Sequence, residues 1–365
     1  MPSPALPSCI QDLPPIWARF CLDIERLLLH DLALPLVHRH LLLACSSGSD
    51  STALLLILHC LAPRMGFTIS VAHLDHGLRP ESGREAHCIT DLCRRLGVQI
   101  STGSSNVARY ARLTRSGLEE AGRTLRYRFL FGMRRRLNAD LLLTAHHADD
   151  LAEDMMLRLI RGTGWPGLAG MPRWDPSRRL LRPLLHTPKQ DLRRFLKAIN
   201  VTWSEDASNT DTRQTRNRVR WDLMPLLIQE NPRFLRNIVR LHRQAEMDAG
   251  LFASMVTPLV QGAQSENTRP TERESEQTGL LLQSSLLRKL HPGLRLRLYK
   301  AVIDDLGPGQ TLHDSLLRLE QAWQSGRNSA TIQFPGSKTA WITPTGIRFT
   351  RSSRTPAKET PAPCD

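Results

Sequence analysis

The chain has 365 residues, 41% of them apolar, and a formal net charge of +14. That length suits two or three globular domains, each with its own core, and no stretch has the uninterrupted apolar length of a membrane span, because Asp31, His38 and His40 break the leucine-rich N-terminal region. The positive excess is nearly all arginine, whose guanidinium forks suit phosphate oxygens and stack on bases; it points to nucleic acid, against the alternative of a generally basic surface.

The first residues lack a basic segment followed by an apolar core and cleavage site, so a cytoplasmic location is expected. A lead-in helix is expected over 16–32. Leu41-Leu42-Leu43-Ala44-Cys45 then runs into Ser46-Ser47-Gly48-Ser49-Asp50-Ser51-Thr52 and the apolar run Ala53-Leu54-Leu55-Leu56-Ile57-Leu58. The pattern is a buried strand, a tight loop of small hydroxylated residues and a helix. Such a loop aims backbone N–H groups and the positive end of a helix dipole at one spot, where an anion, and phosphate above all, would sit. The competing reading is a plain strand-to-helix turn in which Ser and Asp only cap the helix. The Gly-Lys-Ser/Thr ending of the usual P-loop is absent, which argues against a kinase or GTPase of that kind.

Further strands are expected over 68–73, 98–101 and 140–145, alternating with helices over 81–96 and 118–137. Alternation without tight hairpins implies a parallel sheet with helices on both faces, and ligands collect at the carboxyl ends of such strands. After the strand at 140–145 comes His146-His147-Ala148-Asp149-Asp150-Leu151-Ala152-Glu153-Asp154, opening a helix through about 161. A spacing of three sets Asp150 and Glu153 on one helical face, and Asp149 with Glu153 also qualifies. Convergent carboxylates there can hold Mg2+, bind an ammonium group or take a proton; equally, acidic residues favour a helix N-terminus for its dipole alone. Adjacent residues diverge on any regular element, so one of His146 and His147 is expected to be structural. The glycine-rich run 162–171 suits a segment that orders over a substrate, or a turn.

A helix over 188–199 leads to a polar stretch, 203–211, and then to Arg213, Arg216, Arg218 and Arg220, flanked by Trp203 and Trp221. These four arginines are expected to contact nucleic acid; salt bridges to Glu205, Asp206 and Asp211 are the alternative. A helical pattern continues over 233–260, and 261–278 is almost free of apolar side chains, as an exposed linker would be. Residues 280–323 are expected to be largely helical with a basic face of Arg288, Lys289, Arg295, Arg297 and Lys300, followed by a hairpin around Pro335-Gly336-Ser337-Lys338 and a strand at 346–349. Seven scattered cysteines without a Cys-x-x-Cys pair read as buried or incidental thiols of a reducing compartment; Cys88 and Cys93 near His87 have too few companions for a metal site.

Taken together, these runs resemble the tRNA(Ile)-lysidine synthetases of the N-type ATP-pyrophosphatase group. That family's phosphate loop reads Ser-Gly-Gly-x-Asp-Ser, and 46–51 matches it except at Ser47. Ala72-His73-Leu74-Asp75-His76-Gly77-Leu78-Arg79, Glu120-Ala121-Gly122-Arg123 with Arg126-Tyr127-Arg128-Phe129-Leu130, and Thr144-Ala145-His146-His147-Ala148-Asp149-Asp150 are likewise family-like. So are Arg161-Gly162-Thr163-Gly164 and Arg216-Asn217-Arg218-Val219-Arg220. The likeness covers about 38–225. Ser47 adds a Cβ in the phosphate loop, tolerable only with a negative φ. Leu151 and Asp154 replace the usual Gln and Thr, and the further C-terminal domain of the longer members is not expected here.

The resemblance implies an α/β fold: a doubly wound parallel sheet of the N-type ATP pyrophosphatase kind, then a helical segment and a small α+β C-terminal domain. The expected divisions are a lead-in (1–37), a catalytic domain (38–222), a helical connector (223–260), the linker (261–278), a tRNA-binding domain (279–351) and a tail (352–365). It further implies ATP-dependent joining of free lysine to the wobble cytidine of an isoleucine tRNA with a CAU anticodon. Ser46, Ser47, Gly48, Ser49, Asp50 and Ser51 would take the ATP phosphates, Asp50 with Mg2+. Arg126 would stabilise the adenylate, Asp150 and Glu153 would hold lysine and accept its proton, and Arg213, Arg216, Arg218 and Arg220 would meet the tRNA. A homodimer is left open. The rival readings are a tRNA sulfurtransferase of the same group, which needs reactive cysteines, and a non-catalytic tRNA-binding protein.

Overall fold

The computed structural model describes residues 6–75, 82–204, 215–266, 279–309 and 311–352. The chain forms two compact units: Met1–Gly162 with Leu168–His242, and Thr163–Gly167 with Arg243–Asp365.

The first unit is built on a six-stranded sheet. In chain order its elements are α1 (Pro15–Arg26), β1 (His40–Ala44), α2 (Ser49–Met65), β2 (Thr68–Asp75), α3 (Ser82–Arg95), β3 (Gln99–Ser104), α4 (Val107–Thr114), α5 (Leu118–Arg136), β4 (Leu141–Leu143) and α6 (Ala148–Ile160). Two short strands follow, β5 (Trp174–Asp175) and β6 (Leu180–Leu181), then α7 (Lys189–Ala198), α8 (Thr215–Arg218) and α9 (Met224–Glu230); α10 (Phe234–Glu266) begins in this unit and belongs to the second from Arg243. The strand order is β3-β2-β1-β4-β6-β5. All neighbours run parallel except β5 against β6.

β1 sits inside the sheet, and its side chains are buried on both faces, as a central parallel strand requires. Leu41 and Leu43 join one apolar cluster with Leu54 of α2 and Phe195 of α7, whereas Leu42 joins another with Leu130 of α5. Helices therefore cover both sides. Helix α2 is apolar around most of its circumference and Leu54 to Leu58 are fully buried, so it forms the centre of the larger layer. It ends at Gly66, whose φ of +67° closes the last turn in the left-handed conformation.

Three local features depart from the sequence expectation. The segment before Arg182 forms an antiparallel edge pair, β5 with β6, so a tight hairpin does occur within the sheet. With two residues per strand, it offers no periodicity to read. The strand expected over 140–145 is only Leu141–Leu143, and α4 was not foreseen.

In the second unit, β7 (Gly279–Gln283), β8 (Thr331–Phe334), β9 (Lys338–Thr343) and β10 (Gly346–Arg351) form an antiparallel sheet in the order β7-β10-β9-β8. Helices α11 (Ser284–Leu287), α12 (Pro292–Asp305) and α13 (His313–Gln324) accompany it, and Tyr299, Leu319, Ile347 and Phe349 share its core. The hairpin at 335–338 forms as expected, but 279–283 is a strand rather than the start of a helical stretch. Helix α10 runs through Glu266, six residues into the expected linker; 267–278 lie outside the described residues. Arg295 is not on a basic face. It is buried, donating to Glu320 and to the carbonyls of Leu287 and Leu290, while Tyr299 Oη donates to Glu320 at 3.1 Å. The tail beyond 352 also lies outside the described residues.

Candidate active site

The chain winds from β1 outward through β2 to β3 and then returns to place β4 on the other side of β1. A reversal of this kind opens a crevice at the carboxyl ends of the two strands. The loop after β1 carries Ser46 to Ser51, and the turn after β4 carries His146 to Asp150, so both expected half-sites meet there.

Gly48 is the N-cap of α2, and no side chain caps that helix end. The capping alternative is thereby removed, and the first-turn N–H groups are open to an anion. The serine hydroxyls shape the loop itself. Ser51 Oγ donates to Ser46 O at 2.7 Å and accepts from Ser46 N–H at 3.1 Å. Ser47 does not adopt a positive φ; its carbonyl accepts from Ser204 N–H at 2.9 Å and its side chain is buried. The extra Cβ is accommodated without backbone strain.

Asp50 projects from the first turn of α2. Its Oδ2 lies 3.4 Å from His147 Nε2 and 3.4 Å from Lys189 Nζ, and its Oδ1 accepts from Ser49 Oγ at 2.9 Å. Burial pushes the carboxyl up, but His147, Lys189 and Ser49 together hold it down at about 2. His147 is the N-cap of α6. Its Nε2 is 3.3 Å from Asp150 Oδ2 and its Nδ1 is 3.5 Å from Asp149 Oδ2. Burial disfavours the imidazolium, yet Asp150, Asp149 and Asp50 outweigh it and raise His147 to about 10. His146 goes the opposite way: burial, with Arg182, Arg126 and Arg123 nearby, lowers it to about 3 despite Asp150, and its Nδ1 lies 2.8 Å from Thr144 Oγ1.

Asp150 and Glu153 do share one face of α6, and both meet arginines from the segment after α7. Arg220 forks onto Glu153 (Nε to Oε1 2.6 Å, Nη2 to Oε2 2.9 Å), and its Nη2 is 3.5 Å from Asp150 Oδ1. Arg216 adds Nε to Glu153 Oε2 at 3.3 Å and Nη2 to Asp150 Oδ1 at 3.6 Å. Arg216 and Arg220 are four apart, and Arg220 lies on a π turn, Val219–Leu223, of the kind that often re-aims side chains at functional sites. Burial raises the Asp150 carboxyl, but His147, His146 and Arg216 bring it below the ordinary carboxylate range. Asp149 turns aside and accepts from Lys189 N–H at 3.0 Å.

The result is a lattice of four carboxylates (Asp50, Asp149, Asp150, Glu153) and four cations (His147, Lys189, Arg216, Arg220) across the two strand ends. Arg126 of α5 stands beside it, close enough to feel Arg216 and Asp150, and among the described residues it makes no ion pair. The four arginines expected at RNA therefore separate: Arg216 and Arg220 face the carboxylates, Arg218 is exposed with Nη2 donating to Thr215 Oγ1, and Arg213 lies outside the described residues with Glu205, Asp206 and Asp211. Sequence reasoning missed Lys189. A lysine in the first turn of a helix opposes the dipole, which was the available signal. It also undervalued His147, whose ring meets Asp50 of the phosphate loop as well as Asp149 and Asp150 of its own segment.

A family model described as a PP-loop domain matches residues 23–227. A tRNA(Ile)-lysidine synthase from Nitratidesulfovibrio vulgaris is 41% identical over 88% of this chain and 94% of its own length. One from Thermus thermophilus is 35% identical over 70% of this chain and 52% of its own, and one from Porphyromonas gingivalis (strain ATCC 33277) 38% identical over 59% and 47%. The chain thus spans nearly all of the first relative and about half of the other two. Among solved structures, a U34-tRNA thiolase, NcsA, from Methanococcus maripaludis matches with a TM-score of 0.53 and 15% identity over 62% of this chain and 78% of that one, a likeness of fold.

Proposed function

We infer the function from one premise: this chain belongs to the tRNA(Ile)-lysidine synthase family and carries its PP-loop domain. It is an ATP-dependent ligase that forms lysidine on an isoleucine tRNA. Free lysine, Mg2+ and the cytoplasmic setting are the finer parts of this reading. The observation that carries it is the bridge made by His147, which touches Asp50 of the phosphate loop and Asp150 of the acidic pair at once.

The C2 oxygen of the wobble cytosine is a poor leaving group. Attack of that oxygen on the α-phosphorus of ATP forms the adenylated base and releases pyrophosphate. The ε-amine of lysine then attacks C2, AMP leaves with the oxygen, and the amine loses its proton. The uncapped start of α2 would receive the phosphates, and the guanidinium of Arg126, which makes no ion pair among the described residues, would stabilise negative charge on the adenylate. The donor set fits Mg2+, since Asp50 offers an ionised, partly exposed oxygen beside that phosphate cradle. When bound, the ion would be held by Asp50 and would offset polyphosphate charge.

Lysine carries two ammonium groups and one carboxylate, and the lattice matches both signs. Asp150 and Glu153 suit the ammonium groups; Arg216 and Arg220 suit the carboxylate. A lysine amine titrates near 10.4 in water, and a carboxylate held below its ordinary range is a weak acceptor. Repulsion by Arg126, Arg216 and Arg220 lowers the amine toward its neutral form and narrows that gap. The cytidine must leave the anticodon stack to arrive here.

A sulfur-transferring reading is not favoured. Burial first of all pushes the thiols of Cys21, Cys45, Cys60 and Cys93 up to about 12, so none of these is a ready thiolate. The test is incorporation of labelled lysine into an isoleucine tRNA with a CAU anticodon, given ATP and Mg2+. No incorporation by the wild-type protein would sink the reading.

A further inference from the structure

The helices α4 and α5 carry a charge excess that the catalytic lattice does not use. Residues 106–136 hold nine arginines against two glutamates, so half of the chain's net +14 lies in less than a tenth of its length. Several exposed arginines elsewhere do find carboxylates, as Arg39 does with Asp140, Arg64 with Glu25 and Arg94 with Asp91. Arg109, Arg112, Arg115, Arg123 and Arg128 are exposed, and among the described residues none of their guanidinium groups makes an ion pair. Like charges crowded together without counter-ions raise the energy of the free protein, and an external polyanion relieves that cost.

The hairpin is shaped to present them. Val107 and Ala111 of α4 pack on Ala121 of α5, with Tyr110 and Leu125 alongside, a small core that leaves the arginines outside. Arg109 and Arg112, three apart, share a face of α4. At the tip, Arg115 turns the chain with a φ of +53°, between Leu113 and Leu118, which are 74% and 53% exposed. From the tip α5 leads back toward the site: Arg123 lies five residues, about 7.5 Å of helix rise, beyond its first residue Leu118. Arg123 and Arg126 both lie over the Tyr127 ring, 5.3 and 5.6 Å from its centroid. The strip ends where Arg126 meets the lattice.

We propose that the α4–α5 hairpin is the surface that grips the RNA phosphate backbone next to the nucleotide entering the site. This rests on tRNA being the substrate. A phosphate backbone supplies regularly spaced anions along such a strip, and the exposed leucines at the tip can lie against sugar or base faces.

The test measures binding of a labelled CAU-anticodon isoleucine tRNA transcript across a range of salt, without ATP or lysine. Arg112→Gln/Arg115→Gln is compared with Arg19→Gln/Arg26→Gln, which removes the same charge from exposed positions on α1. The hairpin pair should raise Kd about tenfold near 0.1 M salt and lower the slope of log K against log salt by about two, one per lost contact. The α1 pair should stay within about twofold of wild type. Equal effects of the two pairs on Kd and slope would overturn the proposal. Arg109→Gln/Arg123→Gln samples the same surface away from the tip, should the first pair disturb the turn. Because no turnover is involved, failure of lysine ligation would leave this result standing, and failure here would leave the ligation result standing.

Discussion

Arg220 closes over Glu153 with two parallel hydrogen bonds, 2.6 Å from Nε to Oε1 and 2.9 Å from Nη2 to Oε2, although the two residues are 67 positions apart. Glu153 is only 3% exposed, so this guanidinium, helped by Arg216, is what keeps a buried carboxylate tolerable. Arg220→Ala should therefore destabilise the fold by about 2 kcal/mol, less than a fully buried pair because Arg216 remains and Arg220 is partly exposed. Arg220→Lys keeps the charge but not the fork and should recover only part of that loss in urea unfolding.

Glu153→Ala separates the two halves of the reaction. ATP binding and tRNA-dependent exchange of labelled pyrophosphate into ATP should persist, while lysine incorporation falls by about a hundredfold or more. Equal loss of exchange and incorporation would contradict a role confined to lysine.

Asp50→Ala should abolish adenylation. It removes the carboxylate that faces the phosphate cradle and leaves His147 and Lys189 without one of their partners. The readout is pyrophosphate exchange, with thermal unfolding as a control for folding; retained exchange would exclude Asp50 from the ATP half-site.

Ser47→Gly restores the residue the family carries at this loop position. Since Ser47 already adopts an ordinary backbone conformation, the KM for ATP should change by no more than about twofold. Glycine gains freedom in the unfolded chain, so stability should fall by up to about 1 kcal/mol. A large gain in ATP affinity would mean that Ser47 does obstruct the phosphates.

Gly170→Ala tests the turn after α6. Its φ is +95°, and a Cβ there would come within 2.8 Å of Cδ1 of the fully buried Leu151. A loss of about 1–3 kcal/mol is expected in urea unfolding. A neutral result would mean that this turn relaxes freely.

The local order of this protein was legible in the residues themselves. The run Leu41-Leu42-Leu43-Ala44-Cys45 is apolar on both faces and is bounded by the small residues Ser46-Ser47-Gly48, which together suit an interior strand and a tight turn into α2. The alternation of such units implied the parallel sheet, and with it the crevice where Ser46 to Ser51 and His146 to Glu153 meet. Short or unpatterned pieces escaped: two-residue strands at Trp174 and Leu180, and β7, whose Leu280, Leu281 and Leu282 suit a helix as well as a strand.

Pairing across the chain was decided only by the tertiary structure. Spacing alone could set Asp150 and Glu153 on one face of a helix, but could not bring Arg216 and Arg220 onto them from more than sixty residues away. Nor could it bring Lys189 to Asp50 or make His147 the shared imidazolium of three carboxylates. Local propensity acts over a few residues, whereas the charge state of a buried group depends on every neighbour within several ångströms, whatever its distance in sequence.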